Sequence, residues 1–253
     1  MHLDFEPNLF GDPIGLPLGE FVRPTRPSAS VALKGQYCHL VALDADKHAL
    51  DLWNAFSLDS EGKLWTYMPQ GPFTSAVEYR TWVEEFQGKE DPFFYAIVEN
   101  VSGKAVGVAS YLRIDPGASS IEVGWITFSP IIQQRPIATE AMYLMMRHAF
   151  ELGYRRYEWK CNALNLPSIN AAMRLGMSFE GLFRQATMVK GRNRDTAWFS
   201  ILDKDWPVAR QAFETWLSRD NFDPSGQQKS SLSTLTADLV SDRWPRLDVG
   251  TNR

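Results

Sequence analysis

The stretch from residue 93 to residue 161 restricts the fold of this chain more than any other. Three strand-like runs, Phe93–Glu99, Ala105–Ile114 and Ser120–Phe128, follow one another with short connections. Asn100-Val101-Ser102-Gly103-Lys104 and Asp115-Pro116-Gly117 supply turn residues for two hairpins. Pro136 then opens a segment with apolar residues at Ala138, Ala141, Met142, Met145, Ala149 and Leu152, a helical period that Gly153 closes. Another strand, Tyr154–Cys161, comes next, with Tyr157, Trp159 and Cys161 on one face. Hairpins make neighbouring strands antiparallel, whereas a strand–helix–strand crossover makes its two strands parallel. The sequence therefore predicts a mainly antiparallel sheet with one parallel pair, an α+β layer and not a doubly wound sheet.

The flanks extend this pattern. Leu33–Leu43 reads as a first strand, and Asp44 as the N-cap of a helix to about Phe56. The loop 59–73 carries Gly62, Pro69, Gly71 and Pro72, yet its Leu64-Trp65-Thr66-Tyr67-Met68 segment is too apolar for an ordinary solvated loop. Thr74 or Ser75 caps a second helix to about Gln87. A short helix over Asn165–Leu175 ends at Gly176; strands over Ser178–Lys190 and Arg194–Leu202 follow, then a last helix over Pro207–Ser218. Seven strands are expected in all. Residues 1–30 contain five prolines and read as an extended arm. Residues 31–220 form the domain, and 221–253 a polar tail, either mobile or docked.

Composition narrows the function classes. The 253 residues suit one large domain or one domain with extensions, and a 44% hydrophobic, 22% charged makeup supports a globular core. A net charge of −4 gives no footprint for nucleic acid. No apolar run approaches a membrane span, and no basic-then-apolar start suggests a secretory signal, so a cytoplasmic location without a membrane partner is expected. Cys38 and Cys161 read as free thiols in a reducing compartment. The histidines lack metal-ligand spacing, and no metal is expected.

Five motifs, in this order and spacing, are similar to the GNAT superfamily of N-acetyltransferases, and specifically to its RimJ/RimL-like branch. They are Trp65-Thr66-Tyr67-Met68-Pro69, Ile121-Glu122-Val123-Gly124-Trp125, Ala138-Thr139-Glu140-Ala141, Leu152-Gly153-Tyr154-Arg155-Arg156 and Gly191-Arg192-Asn193-Arg194-Asp195-Thr196-Ala197-Trp198. The resemblance covers about Leu33 to Pro207. It implies a mixed, mainly antiparallel seven-stranded sheet whose parallel fourth and fifth strands splay apart, flanked by helices. It also implies acetyl-CoA as acyl donor and an amine as acceptor, with direct attack in a ternary complex. The acceptor is left open between a small molecule and a protein N-terminus, and a homodimer is expected, because the branch often dimerises.

The same resemblance distributes roles over residues. The family's phosphate loop, Gln/Arg-x-x-Gly-x-Gly/Ala, matches Gln133-Gln134-Arg135-Pro136-Ile137-Ala138, with Thr139 following. Free amides at a helix N-terminus hold a pyrophosphate, aided by the helix dipole. Pro136 stands where the family has Gly and removes one donor; taken alone, the loop reads as a proline-initiated structural helix. The Tyr that many relatives use to protonate the thiolate is replaced by Ala172, and the branch places a Ser at Ser168, with Asn165 and Asn170 as cofactor contacts. Ser168 reads equally as a helix cap. Glu122, on the fourth strand, is the expected base for the amine, with a solvated or ion-paired strand charge as the alternative. Alternation places Ile121, Val123 and Trp125 on one face and Glu122 and Ile126 on the other. The competing carboxylate Glu158 shares a face with Arg156 and Lys160 and reads as a surface ion pair. Ile126 to Phe128 line the splay and contact the pantetheine arm through main-chain groups. Trp65, Tyr67 and Met68, with Phe73, Phe183 and Arg184, form either a substrate wall or a core plug. A protein that keeps the fold and binds CoA without catalysis is the competing functional reading.

Overall fold

Residues 4–245 are described by the computed structural model. In chain order the strands are β1 (Phe5–Pro7), β2 (Pro13–Gly15), β3 (Leu33–Lys34), β4 (Cys38–Ala42), β5 (Phe93–Glu99), β6 (Ala105–Asp115), β7 (Ser120–Phe128), β8 (Arg156–Asn162), β9 (Ser178–Val189) and β10 (Arg192–Leu202). The helices are α1 (Ala45–Phe56), α2 (Ala76–Phe86), α3 (Pro136–Glu151), α4 (Leu166–Arg174), α5 (Trp206–Leu217) and α6 (Leu232–Leu235). The main sheet runs β3-β4-β5-β6-β7-β8-β10-β9. Its neighbours are antiparallel except β7 and β8, which are joined by the α3 crossover and run parallel.

The helix starts form where the sequence signals them. Asp44 accepts from the Lys47 amide at 3.1 Å. Ser75 accepts from the Glu78 amide at 3.1 Å, while Glu78 reaches back to the Thr74 amide at 2.7 Å, a reciprocal cap. The sheet has eight strands and not seven because the run 33–43 breaks at Gly35–Tyr37. There the buried Glu140 carboxylate of α3 accepts from the amides of Gln36, Tyr37 and Cys38 at 2.6, 2.7 and 2.8 Å, which bends the chain into a tight turn between β3 and β4.

Two cores cover the two faces. One face of the whole sheet packs on α3, α4 and α5 through Met142, Met145, Ile169, Phe213 and Trp216. The opposite face packs on α1 and α2 through Leu52, Phe56, Tyr79 and Trp82. This second core draws on β5 and β6 and ends at Trp125, with no residue of β8, β9 or β10. That half of the sheet surface is left to charged and aromatic side chains of β7, β8 and β10.

The terminal segments are more structured than an extended arm and a polar tail imply. Residues 5–15 form the β1–β2 hairpin. Beyond it, the Thr25 amide donates to Leu152 O at 3.2 Å, which sets the arm against the end of α3. Residues 221–245 dock on α4 and β9: Thr236 Oγ1 donates to Arg174 O at 3.1 Å, and the Phe179 amide donates to Asp242 O at 2.9 Å. Residues 246–253 of the tail and 1–3 of the arm lie outside the described residues.

Candidate active site

The site begins where the parallel pair stops. β7 and β8 pair from Ser120↔Arg156 to Val123↔Trp159. Beyond this β7 continues with β6 alone, and β8 with β10 alone. The strands part at a β-bulge: Ser110 pairs with Gly124 but Val108 with Thr127, and Trp125 takes a left-handed φ of 51°. The bulge corrects the alternation expected from sequence. Trp125 turns to the second core, against Trp82 and Phe86, while Ile126 and Phe128 pack on the first. Main-chain groups of 124–128 on the β8 side are thereby left without a strand partner.

Beside this gap lies a ladder of charges on the face that α1 and α2 leave open. Glu122 is 2% exposed. Its Oε2 accepts from Arg113 Nε at 2.6 Å and lies 2.8 Å from Lys160 Nζ, and its Oε1 accepts from Arg113 Nη2 at 2.7 Å. Both carboxylate oxygens are occupied, so a further donor reaches them only if a cation yields. Arg113, with a side chain 59% exposed, is the partner free to move; Lys160, at 6%, is not. Arg113 sits at a left-handed φ of 47°, its amide held by the Asp91 carboxylate at 3.0 Å. Lys160 also pairs with Glu158 at 2.7 Å and lies over the Trp198 ring. Glu158 is thus no surface ion pair: its side chain is 12% exposed and bridges Lys160 to Arg156, which also holds Glu180. Burial opposes ionisation of Glu158, but the hydrogen bonds from Arg156 and Lys160 prevail and hold its carboxyl below the usual range.

The aromatic loop divides its work. The Trp65 ring is buried in the second core, edge-on to Phe56 and Phe73 at 5.6 and 5.1 Å, and Met68 and Phe73 pack there too. The Trp65 ring is therefore part of the core plug, and Met68 and Phe73 pack half-buried against it. Gly71 lies against the Trp65 ring, where a Cβ would come within 2.7 Å. Tyr67 instead crosses the site, donating from its hydroxyl to Leu164 O at 3.1 Å, and Lys190 Nζ donates to Trp65 O at 2.8 Å. The loop so forms a strap from the second core to the β8–α4 connection. Phe183 stacks on Trp198 with centroids 4.3 Å apart, and Arg184 is exposed.

The loop 129–135 and the start of α4 stand on the other side of the gap. Gln133 and Arg135 are exposed, and Gln134 takes a left-handed φ of 59°. Gln133 Nε2 donates to Phe128 O at 3.0 Å, which ties the loop to the end of β7. Pro136 has no amide proton, while those of Arg135 and Ala138 already donate to Ile132 O and Arg135 O at 3.2 and 3.1 Å. The amides of Gln134 and Ile137 remain as the donors this loop can offer an anion. Ile137 is buried, and the Thr139 hydroxyl is turned inward, accepting from Arg174 at 3.0 Å. Asn165, and not Ser168, caps α4, accepting from the Ser168 amide at 3.2 Å. Ser168 Oγ accepts from Trp159 Nε1 at 3.0 Å, and Asn170 is exposed. Burial first of all pushes the nearby Cys161 thiol up to about 11, so this sulfur is not poised as a nucleophile. Sequence reasoning missed Arg113, Lys160 and Arg194 as neighbours of Glu122. The parallel pairing itself was the available signal, because it puts Glu122 level with Glu158.

Comparison with known proteins agrees with this fold. Residues 40–178 match the family described as the acetyltransferase (GNAT) domain. The crystal structure of a GCN5-related N-acetyltransferase from Brucella melitensis is 42% identical and superposes with a TM-score of 0.84, covering 87% of this chain and all of that one. A probable acetyltransferase of the GNAT family from Chromobacterium violaceum is 36% identical, with a TM-score of 0.72, over 80% of this chain and all of that one. An uncharacterized N-acetyltransferase of Bacillus subtilis is 25% identical over 61% of this chain and 89% of its own length.

Proposed function

The chain belongs to the GNAT acetyltransferase family and is an acetyltransferase, and we propose that it moves an acetyl group from acetyl-CoA to a primary amine by direct attack in a ternary complex. The observation that carries this is the parting of β7 from β8 at the Trp125 bulge, with Glu122 beside it. The pantetheine arm would enter the gap and pair with main-chain groups of Ile126 to Phe128. Its pyrophosphate would meet the loop Gln133 to Thr139 through the Gln134 and Ile137 amides, with charge from Arg135. Asn165 and Asn170 would flank the arm from α4. We place the acceptor on the open charged face, between the Tyr67 strap and the Trp198–Phe183 stack, with Arg184 at the rim.

In the reaction the amine nitrogen bonds to the thioester carbonyl carbon, and the carbon–sulfur bond then breaks. Of the two protons an ammonium loses, one ends on the departing sulfur and one leaves through the base. Glu122 is the proposed base: the ammonium takes the place of the exposed Arg113 and passes its proton to the carboxylate or to a bridging water. Ser168 is the proposed donor to the thiolate, its oxygen already oriented by Trp159. Further parts of this reading are a place in the RimJ/RimL-like branch, supported by the order of motifs, and a cytoplasmic setting, supported by two buried free thiols. A homodimer is also proposed, supported by the exposed Phe5, Leu9 and Phe10 of the β1–β2 hairpin; a monomeric mass in solution would contradict it. The test of the function is thiol release from acetyl-CoA across a panel of primary amines. Amine-dependent release supports it, and calorimetric CoA binding without release on any amine contradicts it.

A further inference from the structure

Arg194 of β10 is a half-buried cation without a counterpart. Other half-buried guanidinium groups have partners: Arg156 has Glu158 and Glu180, Arg174 has the Thr139 hydroxyl and the Trp216 ring, and Arg147, whose Nε also lacks a hydrogen bond, has the Glu151 carboxylate at 3.6 Å. Among the described residues Arg194 has no hydrogen bond, ion pair or ring contact of this kind, and its Nε is buried without a partner there. Trp198 of β10 lies level with Lys160 and under its ammonium, and alternation along β10 puts Arg194 on that same open face, beside the β8–α4 connection where the Ala163 amide donates to Asp195 O at 2.9 Å. The carboxylates there are already matched. Glu122 is shared by Arg113 and Lys160, Glu158 by Lys160 and Arg156, and Glu180 by Arg156. None of these three carboxylates is paired with Arg194. Burial weakens its hold on its proton, an effect that the charges of Cys161 and Glu122 offset only in part. An arginine keeps its charge in such a setting, so an anion brought to this face gains a ready partner in Arg194.

We propose that the acceptor is an amine that also carries a carboxylate, and that Arg194 recognises the carboxylate while Glu122 faces the amino group. This rests on the acetyl-transfer reading above. A planar guanidinium presents paired donors that match a carboxylate. The two recognising charges, one negative and one positive, stand on the same open face of the sheet, which fits an acceptor that carries a carboxylate beside its amino group, such as an α-amino acid. The Trp198–Phe183 stack, with Phe183 51% exposed, offers an apolar surface for the rest of the molecule.

The test uses the full chain, acetyl-CoA and matched acceptors: a set of α-amino acids and, for each, the amine that lacks the carboxylate. The readout is the ratio of kcat/KM for acid over amine, which does not depend on the fraction of enzyme that is folded. A charge-assisted contact predicts a ratio of roughly 10- to 100-fold in the native enzyme. Arg194→Gln should collapse it toward unity, and Arg194→Lys should keep part of it. A native ratio near one overturns the assignment, as does an Arg194→Gln variant that loses acid and amine activity in equal proportion or whose defect lies in the KM for acetyl-CoA. If no amine of either kind is acetylated, the acetyl-transfer reading falls with it.

Discussion

Replacing Glu122 with Gln separates the chemistry of the site from its stability. The carboxylate is 2% exposed and takes two bonds from Arg113, at 2.6 and 2.7 Å, with Lys160 at 2.8 Å. Stranding a buried charge costs about 3–5 kcal/mol. That full penalty does not apply here, because Lys160 keeps Glu158 at 2.7 Å and Arg113 is exposed enough to find water. Glutamine preserves the shape and one acceptor oxygen, so a loss of about 1–2 kcal/mol is expected, small beside a typical stability of about 5–15 kcal/mol. Turnover should fall far more, by roughly 100- to 10,000-fold, if the carboxylate takes the amine's proton. Activity should also shift toward higher pH, where more of the amine is already neutral. The assay is steady-state thiol release against pH, with calorimetry for acetyl-CoA, whose affinity should barely move. Glu158→Gln is the control, since it disturbs the same ladder from the neighbouring strand, where the carboxylate is tied to Arg156 and Lys160, and it should cost much less turnover. Full activity of Glu122→Gln with an unchanged pH profile refutes the reasoning. Equal losses in the two variants would show that the ladder matters as a whole and Glu122 has no special role.

Two further perturbations address the scaffold. A Cβ on Gly35 would lie within 2.5 Å of the Glu140 carboxyl carbon, and Glu140→Ala would strip three amides of their acceptor; each change should cost about 2–4 kcal/mol in urea unfolding, and near-native midpoints would contradict a structural role for Glu140. Acid should weaken the fold through the open face: burial works against ionised Glu158 and Glu180, but hydrogen bonds from Arg156 prevail and depress both. The unfolded chain binds these protons near pH 4.3 and the folded chain only lower, so the stabilisation is full above about 4.3 and drains as pH falls further. Glu180→Gln should flatten urea midpoints measured from pH 6 to pH 3.5, and an unchanged slope would exclude this source.

Much of this was legible in the sequence because strong local signals agree with one another. The hairpin turns, the Asp44 and Ser75 caps and the Pro136–Gly153 helix each depend on residues a few positions apart, and together they imply the parallel β7–β8 pair. What depended on distant partners was not legible. Alternation along β7 fails at Trp125, because the bulge adds one residue and exchanges the faces of everything after it. Trp65 was open between wall and plug until the fold brought Phe56 and Phe73 to it. Glu140 lies in a motif that resembles the cofactor loop, yet its carboxylate holds a turn about a hundred residues earlier in the chain. In the site, Glu122 stood out as a lone acid on an apolar strand. Its saturation by Arg113 and Lys160, and the isolation of Arg194, are properties of the assembled sheet.

The central claim is direct transfer from acetyl-CoA to nitrogen, and a single-turnover rapid-quench experiment with isotopically labelled acetyl-CoA tests it most directly. With enzyme in excess over acetyl-CoA and an accepted amine present, the label should pass to the amide at the rate at which free CoA thiol appears, with no labelled protein at any time. Accumulation of label on the chain before the amide forms, or appearance of free thiol without amide, would contradict the account.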